Sequence, residues 1–407
     1  MARREAERRW TYPETCCSLP PLKWRSKLTD HRRTTPAGQP RARAIDIPLQ
    51  GITGPLNAIT DVPGLEVGYT TLVSGTDVRT GVTAIHPRGR TGAADPVVAG
   101  FHSQNGNGEM TGISWIAESG TFSGPIALTN THSVGVAHAG IVAWTIKHHP
   151  DLASRWLLPI AAETWDGYLN DANGHHVDEK DVIDALEAAR SGPLEEGSVG
   201  GGTGMNCYQF KGGSGTASRV VKYRHGDYTV GVFIQANFGR RRELVVAGVP
   251  VGLELGADNP MEAYFQLPAG GGSAIAVAAT DAPLLPHQCT ALARRITLGL
   301  GRTGTTGSHF SGDLFLALST GNAHAFGRAE SAAAPLGRGD LSSLSFLPWE
   351  QLDLMCEAVV QATEEAVLNS LVVNDEMVGW RGHRSPALPR APLSDLLARH
   401  GRREAKS

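Results

Sequence analysis

Gly270 to Asp281 read Gly-Gly-Gly-Ser-Ala-Ile-Ala-Val-Ala-Ala-Thr-Asp, and this stretch decides how the chain is interpreted. From Ser273 onward the residues are small and nearly all apolar, which predicts a strand buried on both faces. The three glycines before this strand allow two interpretations. They can form an ordinary turn, or they can place a serine at the start of a strand behind Gly272, a residue type that tolerates backbone strain.

The second interpretation has a chemical consequence at the bond between Gly272 and Ser273. If the Ser273 hydroxyl attacks the Gly272 carbonyl, cleavage frees the α-amine of Ser273 about 3 Å from its own hydroxyl. A free α-amine has a pKa of about 8 and can therefore act as a general base at neutral pH. Such a serine needs no histidine or aspartate partner, and the sequence contains no G-x-S-x-G motif that would suggest one.

Strand-like and helix-like runs interleave on both sides of this stretch, without a linker between them. The predicted elements are strands at 95–102, 125–128 and 313–319, a hairpin at 219–223 and 228–237, and helices at 134–148, 181–190, 286–300 and 349–372. This order predicts an α+β protein in which a sheet-rich core is covered by helices, as a single domain over residues 46–407.

Charge divides the chain into two parts. Residues 1–45 hold eleven Lys/Arg and four Asp/Glu, whereas the remaining 362 residues hold 26 and 36. The acidic body argues against nucleic acid as the main partner, because binding to phosphates requires a basic surface. The basic residues 1–45 are expected to be a disordered extension; an arm that binds nucleic acid or membrane is the alternative.

Composition also limits the compartment and the cofactors. The sequence has no apolar run long enough for a membrane span and no secretory signal. Its five cysteines show no C-x-x-C spacing, and its paired histidines lack the spacing of metal ligands. We therefore expect a cytoplasmic protein with reduced cysteines, without a membrane partner and without a metal or other cofactor.

From Asn57 to Pro389 the sequence resembles the L-aminopeptidase/D-esterase (DmpA) family of self-processing aminopeptidases, which includes the β-peptidyl aminopeptidases. The motifs that carry the resemblance are NAITDVPGLEVGYTTL (57–72), GVTAIHPRG (81–89), NGNGEMTG (105–112), PIALTNTHSVG (125–135), ETWDGYLNDANG (163–174), GGGTGMNCYQFKGGSGTASR (200–219), QANFGRR (235–241), GGGSAIAVAATDAPLLPHQ (270–288), RTGTTGSHFSGDLFLALST (302–320) and PALP (386–389).

The resemblance implies an αββα four-layer sandwich like that of the N-terminal-nucleophile hydrolases, with DmpA-type connectivity. It also implies self-cleavage between Gly272 and Ser273, giving an α chain (1–272) and a β chain (273–407) that stay folded together. Ser273 matches the family's nucleophile. Ser311 and Asp313 match a Ser-Gly-Asp/Glu pair that contacts the nucleophile, with an aspartate in place of glutamate; the reach of this shorter side chain is left open.

Further site residues follow from the same resemblance. Asn237 matches the asparagine whose side-chain amide binds the oxyanion. The family also uses a tyrosine hydroxyl near the ETWDG segment. Tyr168 is the expected residue because it has a phenol, although Trp165 fits another register of the same segment.

The resemblance implies an aminopeptidase that acts on short peptides, amino-acid amides or esters through an acyl-enzyme on Ser273, as a homo-oligomer and expectedly a tetramer. A carboxylate is the simplest group to bind the free substrate ammonium, and Glu109 and Glu118 are candidates or, alternatively, solvated surface charges. Two other functions remain open: an acyl transferase like the ornithine acetyltransferases, and a sandwich that binds a peptide or metabolite without catalysis.

Overall fold

Two β-sheets form the middle of the molecule. The computed structural model describes residues 29–154, 156–265, 272–326 and 341–403. The strands of the two sheets are β1 (Glu66–Ser74), β2 (Val78–His86), β3 (Val97–Ser103), β4 (Thr121–Phe122), β5 (Ile126–Asn130), β6 (Ile160–Thr164), and, after two short strands, β9 (Gly213–Tyr223), β10 (Gly226–Asn237), β11 (Ser273–Thr280) and β12 (Gly312–Ser319). The short pairs are β7 (Asn206–Cys207) with β8 (Phe210–Lys211), and β13 (Met377–Val378) with β14 (Arg384–Ser385).

The two sheets differ in size and in strand order. One has the order β1-β2-β5-β6, and the other has the order β4-β3-β12-β11-β10-β9. Each mixes antiparallel pairs with one parallel pair, which is β5–β6 in the first sheet and β11–β12 in the second. The second sheet therefore contains strands from both sides of the Gly272–Ser273 bond.

Helices of different lengths pack around the two sheets. They are α1 (Ile113–Ser119), α2 (Val134–His148), α3 (Pro150–Ala153), α4 (Glu179–Ala188), α5 (Val251–Glu254), α6 (Glu262–Phe265), α7 (Pro286–Arg302), α8 (Asp353–Val372) and α9 (Arg390–Arg399). Apolar residues of α2 and α4 pack on the four-stranded sheet, and those of α7 and α8 pack on the six-stranded sheet. A third apolar cluster lies between the sheets, which gives four layers in the order αββα. Within the described ranges, no helix is long and apolar enough to cross a bilayer.

Strand β11 is buried on both faces, as its small apolar residues predict. Ile275 and Val277 belong to the cluster between the sheets, whereas Ala274 and Ala276 belong to the cluster under α7 and α8. The alternation therefore puts the larger side chains toward the other sheet and the alanines toward the helices. The predicted helix at 134–148 has the expected bounds, and the predicted hairpin is formed by β9 and β10.

Residues 29–45, the last part of the predicted basic extension, contact the body of the chain. Residues 1–28 lie outside the described residues, but Arg41 is only 2% exposed and pairs with the buried carboxylate of Glu196 at 2.5 Å. Arg43 pairs with the buried carboxylate of Glu365 at 2.7 Å. These two arginines therefore attach residues 29–45 to the body, because each guanidinium neutralises a buried acid.

Candidate active site

Three strand ends meet at Ser273. Ser273 is the first residue of β11, and it pairs with Asn237 at the end of β10 and with Gly312 at the start of β12. The antiparallel pairing with β10 and the parallel pairing with β12 bring these chain-distant residues to one edge of the six-stranded sheet. Ser273 is 2% exposed in the uncleaved chain.

The Ser273 hydroxyl is held by two donors. Its Oγ accepts hydrogen bonds from the main-chain N–H of Trp165 at 3.0 Å and from Asn237 Nδ2 at 3.1 Å. Asn237 is itself fixed on both sides, since Nδ2 also donates to the Trp165 carbonyl at 2.7 Å and Oδ1 accepts from the Asn206 N–H at 2.9 Å. An amide fixed in this way can stabilise negative charge without reorganising during a reaction.

Ser311 and Asp313 form a second hydrogen-bonded unit beside this serine. Ser311 Oγ donates to Asp313 Oδ1 at 2.6 Å, so the aspartate reaches Ser311, whereas a contact with Ser273 itself stays a prediction. Asn105 holds the same carboxylate, because its Nδ2 donates to Asp313 Oδ2 at 3.1 Å and its Oδ1 accepts the Asp313 N–H at 2.7 Å. Burial raises the pKa of Asp313, while the donors Ser311 and Asn105 act in the opposite direction.

The surroundings of Gly272 leave little room for a side chain. A Cβ atom at this position would lie 3.0 Å from Ser311 Oγ and 3.1 Å from the Asn237 carbonyl oxygen. The Gly272 carbonyl oxygen accepts a hydrogen bond from the Gly312 N–H at 3.0 Å. Gly270 and Gly271 of the predicted junction lie outside the described residues.

The two carboxylates expected to bind the substrate ammonium are exposed, and a different one is buried beside the site. Glu109 and Glu118 are both exposed. Glu163 on β6 is 2% exposed and accepts the Glu109 N–H at 2.9 Å and the Thr131 hydroxyl. A Cβ on Gly108 would lie 3.1 Å from both Glu163 Oε1 and the Gly312 Cα, which places this carboxylate near the catalytic edge. Burial raises the pKa of Glu163.

Tyr168 contacts Arg384 and His383. Its hydroxyl donates to the Arg384 carbonyl at 3.2 Å, and its ring stacks on His383 at 4.6 Å between centroids. Trp165, the residue expected in the alternative register, does contact Ser273, through its main-chain N–H. The catalytic assignment of Tyr168 stays a prediction.

Sequence reasoning missed Asn105, Glu163 and the main chain of Trp165. Asn105 is the first residue of the motif NGNGEMTG, and Glu163 is the first residue of ETWDG. A polar residue at the start of a glycine-containing family motif could therefore have indicated both. The Trp165 N–H leaves no such signal, because every residue other than proline has one.

A small pocket opens beside the Gly272–Ser273 bond. Its lining includes Asn206, Gln209, Asn237, Gly272 and Ser311. Asn206 is 5% exposed, and its Oδ1 has no donor among the described residues. The wall of the pocket therefore contains a buried acceptor without a donor among the described residues, close to Ser273.

Two further buried ionisable groups, Asp166 and Lys211, belong to segments next to the site. Burial raises the pKa of Asp166, the residue after Trp165, to about 7, and burial lowers the pKa of Lys211 to about 7. The Lys211 ammonium donates to the carbonyls of Met205 and Gly212, which flank the strands that carry Asn206. Among the described residues, no group of three His, Cys, Asp or Glu side chains could hold a metal ion.

Comparisons with known proteins identify related sequences and structures. Residues 57–385 match the model of peptidase family S58. The chain is 46% identical over 380 residues to the β-peptidyl aminopeptidase BapA of Sphingosinicella microcystinivorans, covering 89% of this chain and 93% of that protein. It is 44% identical over 382 residues to BapA of Sphingosinicella xenopeptidilytica, with 89% and 92% coverage.

Two solved structures share the fold. The L-aminopeptidase D-Ala-esterase/amidase of Ochrobactrum anthropi, described as a prototype of the serine aminopeptidases and a new variant among the Ntn hydrolase fold, superposes with a TM-score of 0.82 at 42% identity. A Burkholderia β-aminopeptidase gives 0.81 at 43% identity. In each case 89% of this chain and 99% of the other are covered.

These matches confirm the predicted family and the predicted fold. The four-layer arrangement is the variant of the N-terminal-nucleophile hydrolase fold that the resemblance implied. They also favour a hydrolase over the acyl transferase and the non-catalytic binding protein that the sequence left open. The chain therefore belongs to peptidase family S58, the DmpA family, and is a hydrolase of the serine aminopeptidase type.

Proposed function

We propose that this peptidase releases the N-terminal residue of short peptides, amino-acid amides or esters through an acyl-enzyme on Ser273. The observation that carries the proposal is the position of the Ser273 hydroxyl, held between the Trp165 N–H and Asn237 Nδ2 directly after a crowded glycine. A serine without a histidine partner requires another base, and the α-amine of Ser273 would supply it once the preceding bond is cleaved.

The first step of this proposal is self-cleavage between Gly272 and Ser273. It would yield an α chain of residues 1–272 and a β chain of residues 273–407. The crowding around Gly272 supports it, because Ser311 Oγ lies close to the bond and can pass a proton to the departing amine.

In turnover, the Ser273 hydroxyl attacks the substrate carbonyl and the α-amine takes its proton. Asn237 Nδ2 and the Trp165 N–H, which hold Oγ in the uncleaved chain, are within reach of the oxyanion that forms there. Ser311 and Asp313 orient the amine and hydroxyl groups. The α-ammonium then gives the proton to the leaving amine or alcohol as its bond to the acyl carbon breaks, and water hydrolyses the resulting ester, which releases the acid and restores the Ser273 hydroxyl.

Glu163 is the carboxylate that we assign to the substrate ammonium, in place of Glu109 and Glu118. It is buried beside the catalytic edge, where a charge pair is little screened by solvent, whereas Glu109 and Glu118 are exposed. Burial raises its pKa, and a bound substrate ammonium would act in the opposite direction, as His132 already does to a small extent.

The acyl group that we propose is a β-aminoacyl residue. Two relatives at 46% and 44% identity are named β-peptidyl aminopeptidases, and this similarity supports the proposal. Matched p-nitroanilides of β-alanine, L-alanine and D-alanine provide the comparison. A higher kcat/KM for L-alanine or D-alanine than for β-alanine would contradict it.

The wild-type chain and Ser273→Ala test the nucleophile. The wild type should separate on a denaturing gel into pieces of about 29 and about 14 kDa, in proportion to 272 and 135 of the 407 residues that together weigh 43.1 kDa. Ser273→Ala should remain at 43.1 kDa and turn over no aminoacyl anilide. Cleavage or turnover that persists in this variant would overturn the proposal.

We also propose that the α and β chains stay together and that the enzyme is a homotetramer, as the family resemblance implies. Size-exclusion chromatography with light scattering measures this mass directly. A monomer at micromolar concentration would contradict the tetramer without affecting the proposed chemistry.

A further inference from the structure

The carbonyl that self-cleavage must attack already has a donor of its own. The Gly272 oxygen accepts the main-chain N–H of Gly312 at 3.0 Å. The two other donors at this edge, Asn237 Nδ2 and the Trp165 N–H, are directed at Ser273 Oγ among the described contacts. The uncleaved chain therefore separates the donor of the scissile carbonyl from the donors of the nucleophile.

The chemistry of self-cleavage places negative charge on that same oxygen. Ser273 Oγ bonds to the Gly272 carbonyl carbon, the carbon–nitrogen bond to Ser273 breaks, and the hydroxyl proton ends on the Ser273 amine. The resulting ester takes up water, which gives the Gly272 carboxylic acid and returns a hydrogen to Oγ. In both tetrahedral intermediates the charge is on the oxygen that was the Gly272 carbonyl oxygen.

The position of the Gly312 N–H is fixed by the sheet. Gly312 pairs with Ser273 in the parallel ladder between β11 and β12, so its N–H points toward β11 before any reaction occurs. A side chain at Gly312 would collide with the main chain of the neighbouring loop, since a Cβ would lie 2.3 Å from the Asn107 carbonyl oxygen. This close packing holds the donor in place.

We propose that the main-chain N–H of Gly312 is the oxyanion donor for self-cleavage, whereas Asn237 serves mainly the later turnover of substrate. The inference rests on the proposed function, because it assumes that Ser273 attacks Gly272. It assigns the two reactions of one serine to different donors, so that a change at one donor affects the two rates unequally.

The first test compares the two rates in Asn237→Asp and Asn237→Ala. Asn237→Asp keeps the shape and the Oδ1 acceptor for the Asn206 N–H but loses the Nδ2 donor. We expect turnover of an aminoacyl anilide to fall about 100- to 1,000-fold, the usual cost of one oxyanion donor. The rate of self-cleavage, followed on gels after cell-free synthesis of the precursor, should fall less than about 10-fold. Equal losses in both rates would overturn the proposal.

The second test removes the Gly312 donor itself without adding a side chain. Cell-free synthesis with a suppressor tRNA carrying glycolic acid replaces the Gly312 N–H by an ester oxygen. We expect self-cleavage to slow about 100-fold or more. An ester at Leu316, on the same strand and four residues further along, is the control and should cleave at a rate close to that of the wild type.

The outcomes separate this inference from the proposed function. If Ser273→Ala still cleaves after residue 272, the proposed nucleophile is wrong and the inference fails with it. If Ser273→Ala does not cleave, but the Gly312 and Leu316 esters cleave at the same rate, the nucleophile stands and the Gly312 donor is refuted. Resistance of each precursor to limited proteolysis verifies that it is folded.

Discussion

Asn105 sets the environment of the Asp313 carboxylate, and this single contact predicts a pH effect. Burial raises the pKa of Asp313, and the Asn105 amide opposes this by donating to the charged form. Asn105→Ala removes that donor, so the pKa of Asp313 should rise further. A hydrogen bond to a charged group contributes about 1.5–3 kcal/mol, which corresponds to roughly one to two pH units. We expect the acidic limb of kcat/KM to move to higher pH by that amount.

Asn107 provides the matched control for this pH profile. It lies in the same loop, but its side chain donates to the Phe310 carbonyl rather than to Asp313. Asn107→Ala should leave the acidic limb in place. If both variants lose activity without any change in the pH profile, Asn105 serves only to hold the loop, and the assignment of the acidic limb to Asp313 is wrong.

The free acceptor of Asn206 predicts an effect on substrate affinity. Asn206 lines the pocket beside Gly272, and its buried Oδ1, which has no donor among the described residues, becomes accessible to a ligand there if the side chain rotates. A substrate ammonium has three N–H donors, so it can bind this oxygen as well as a carboxylate. We expect Asn206→Leu to lower kcat/KM for an aminoacyl ester about 10- to 100-fold, mostly through KM. Turnover of the matching ester without its amino group should change little, and equal losses for both esters would contradict the assignment.

Only some of the individual residues of this site could be predicted from the sequence. Ser273, Asn237, Ser311 and Asp313 were predicted from motifs, and the structure brings all four to one edge of a sheet. The donor from the Trp165 main chain could not be predicted, because a backbone amide has no residue type. Its position depends on where β6 ends relative to β11, which is a property of packing between two sheets.

Helix α8 carries two adjacent glutamates that differ in what they stabilise. Glu365 is fully buried and pairs with Arg219 at 2.8 Å and with Arg43 at 2.7 Å. Burial alone would raise its pKa, but the two guanidiniums hold the pKa below its usual value. Glu364 pairs instead with Arg302, a side chain that is 41% exposed. The two neighbours therefore separate a buried ion pair from one near the surface.

Substitution of these two residues should change stability by different amounts. Glu365→Ala leaves the Arg219 guanidinium buried without its partner, so we expect a loss of about 3–5 kcal/mol in the free energy of unfolding. Glu364→Ala should cost less, about 1 kcal/mol, because the Arg302 guanidinium that it leaves is 41% exposed and can be solvated, although Glu364 itself is buried. Urea titration in the Ser273→Ala background measures both on a single uncleaved chain. Similar midpoints for the two variants would show that the Arg43–Glu365–Arg219 cluster contributes no more than a surface pair.

At the level of elements, long apolar patterns were informative, and strands without such a pattern were missed. Helix α2 and strand β11 were predicted because long apolar patterns exclude other structures. Strands β1, β2 and β6 were not predicted. The outer half of β1 is largely exposed, and β6 has the sequence Ile-Ala-Ala-Glu-Thr, in which alanine favours a helix. These strands are stabilised by their partners in the sheet, which a local pattern does not reveal.

The topology of the whole molecule predicts that self-cleavage does not separate the two chains. In the six-stranded sheet, β11 and β12 of the β chain lie between β3 and β10 of the α chain, so each chain pairs with the other along two strands. Separation would require breaking both ladders and exposing the apolar clusters on the two faces of this sheet. If the Gly272–Ser273 bond is cleaved as proposed, the two chains should therefore remain one cooperative unit.

We expect the fragments of about 29 and about 14 kDa to elute together in native buffer even after dilution to nanomolar concentration. They should unfold in urea in one transition, at the same midpoint by circular dichroism and by loss of anilide turnover, because the shared sheet cannot open in part. The uncleaved Ser273→Ala chain is the control for the optical transition. Release of the 14 kDa fragment before the α chain unfolds would contradict this prediction. It would mean that the intact backbone, and not the interleaved strands, holds the two parts of the precursor together.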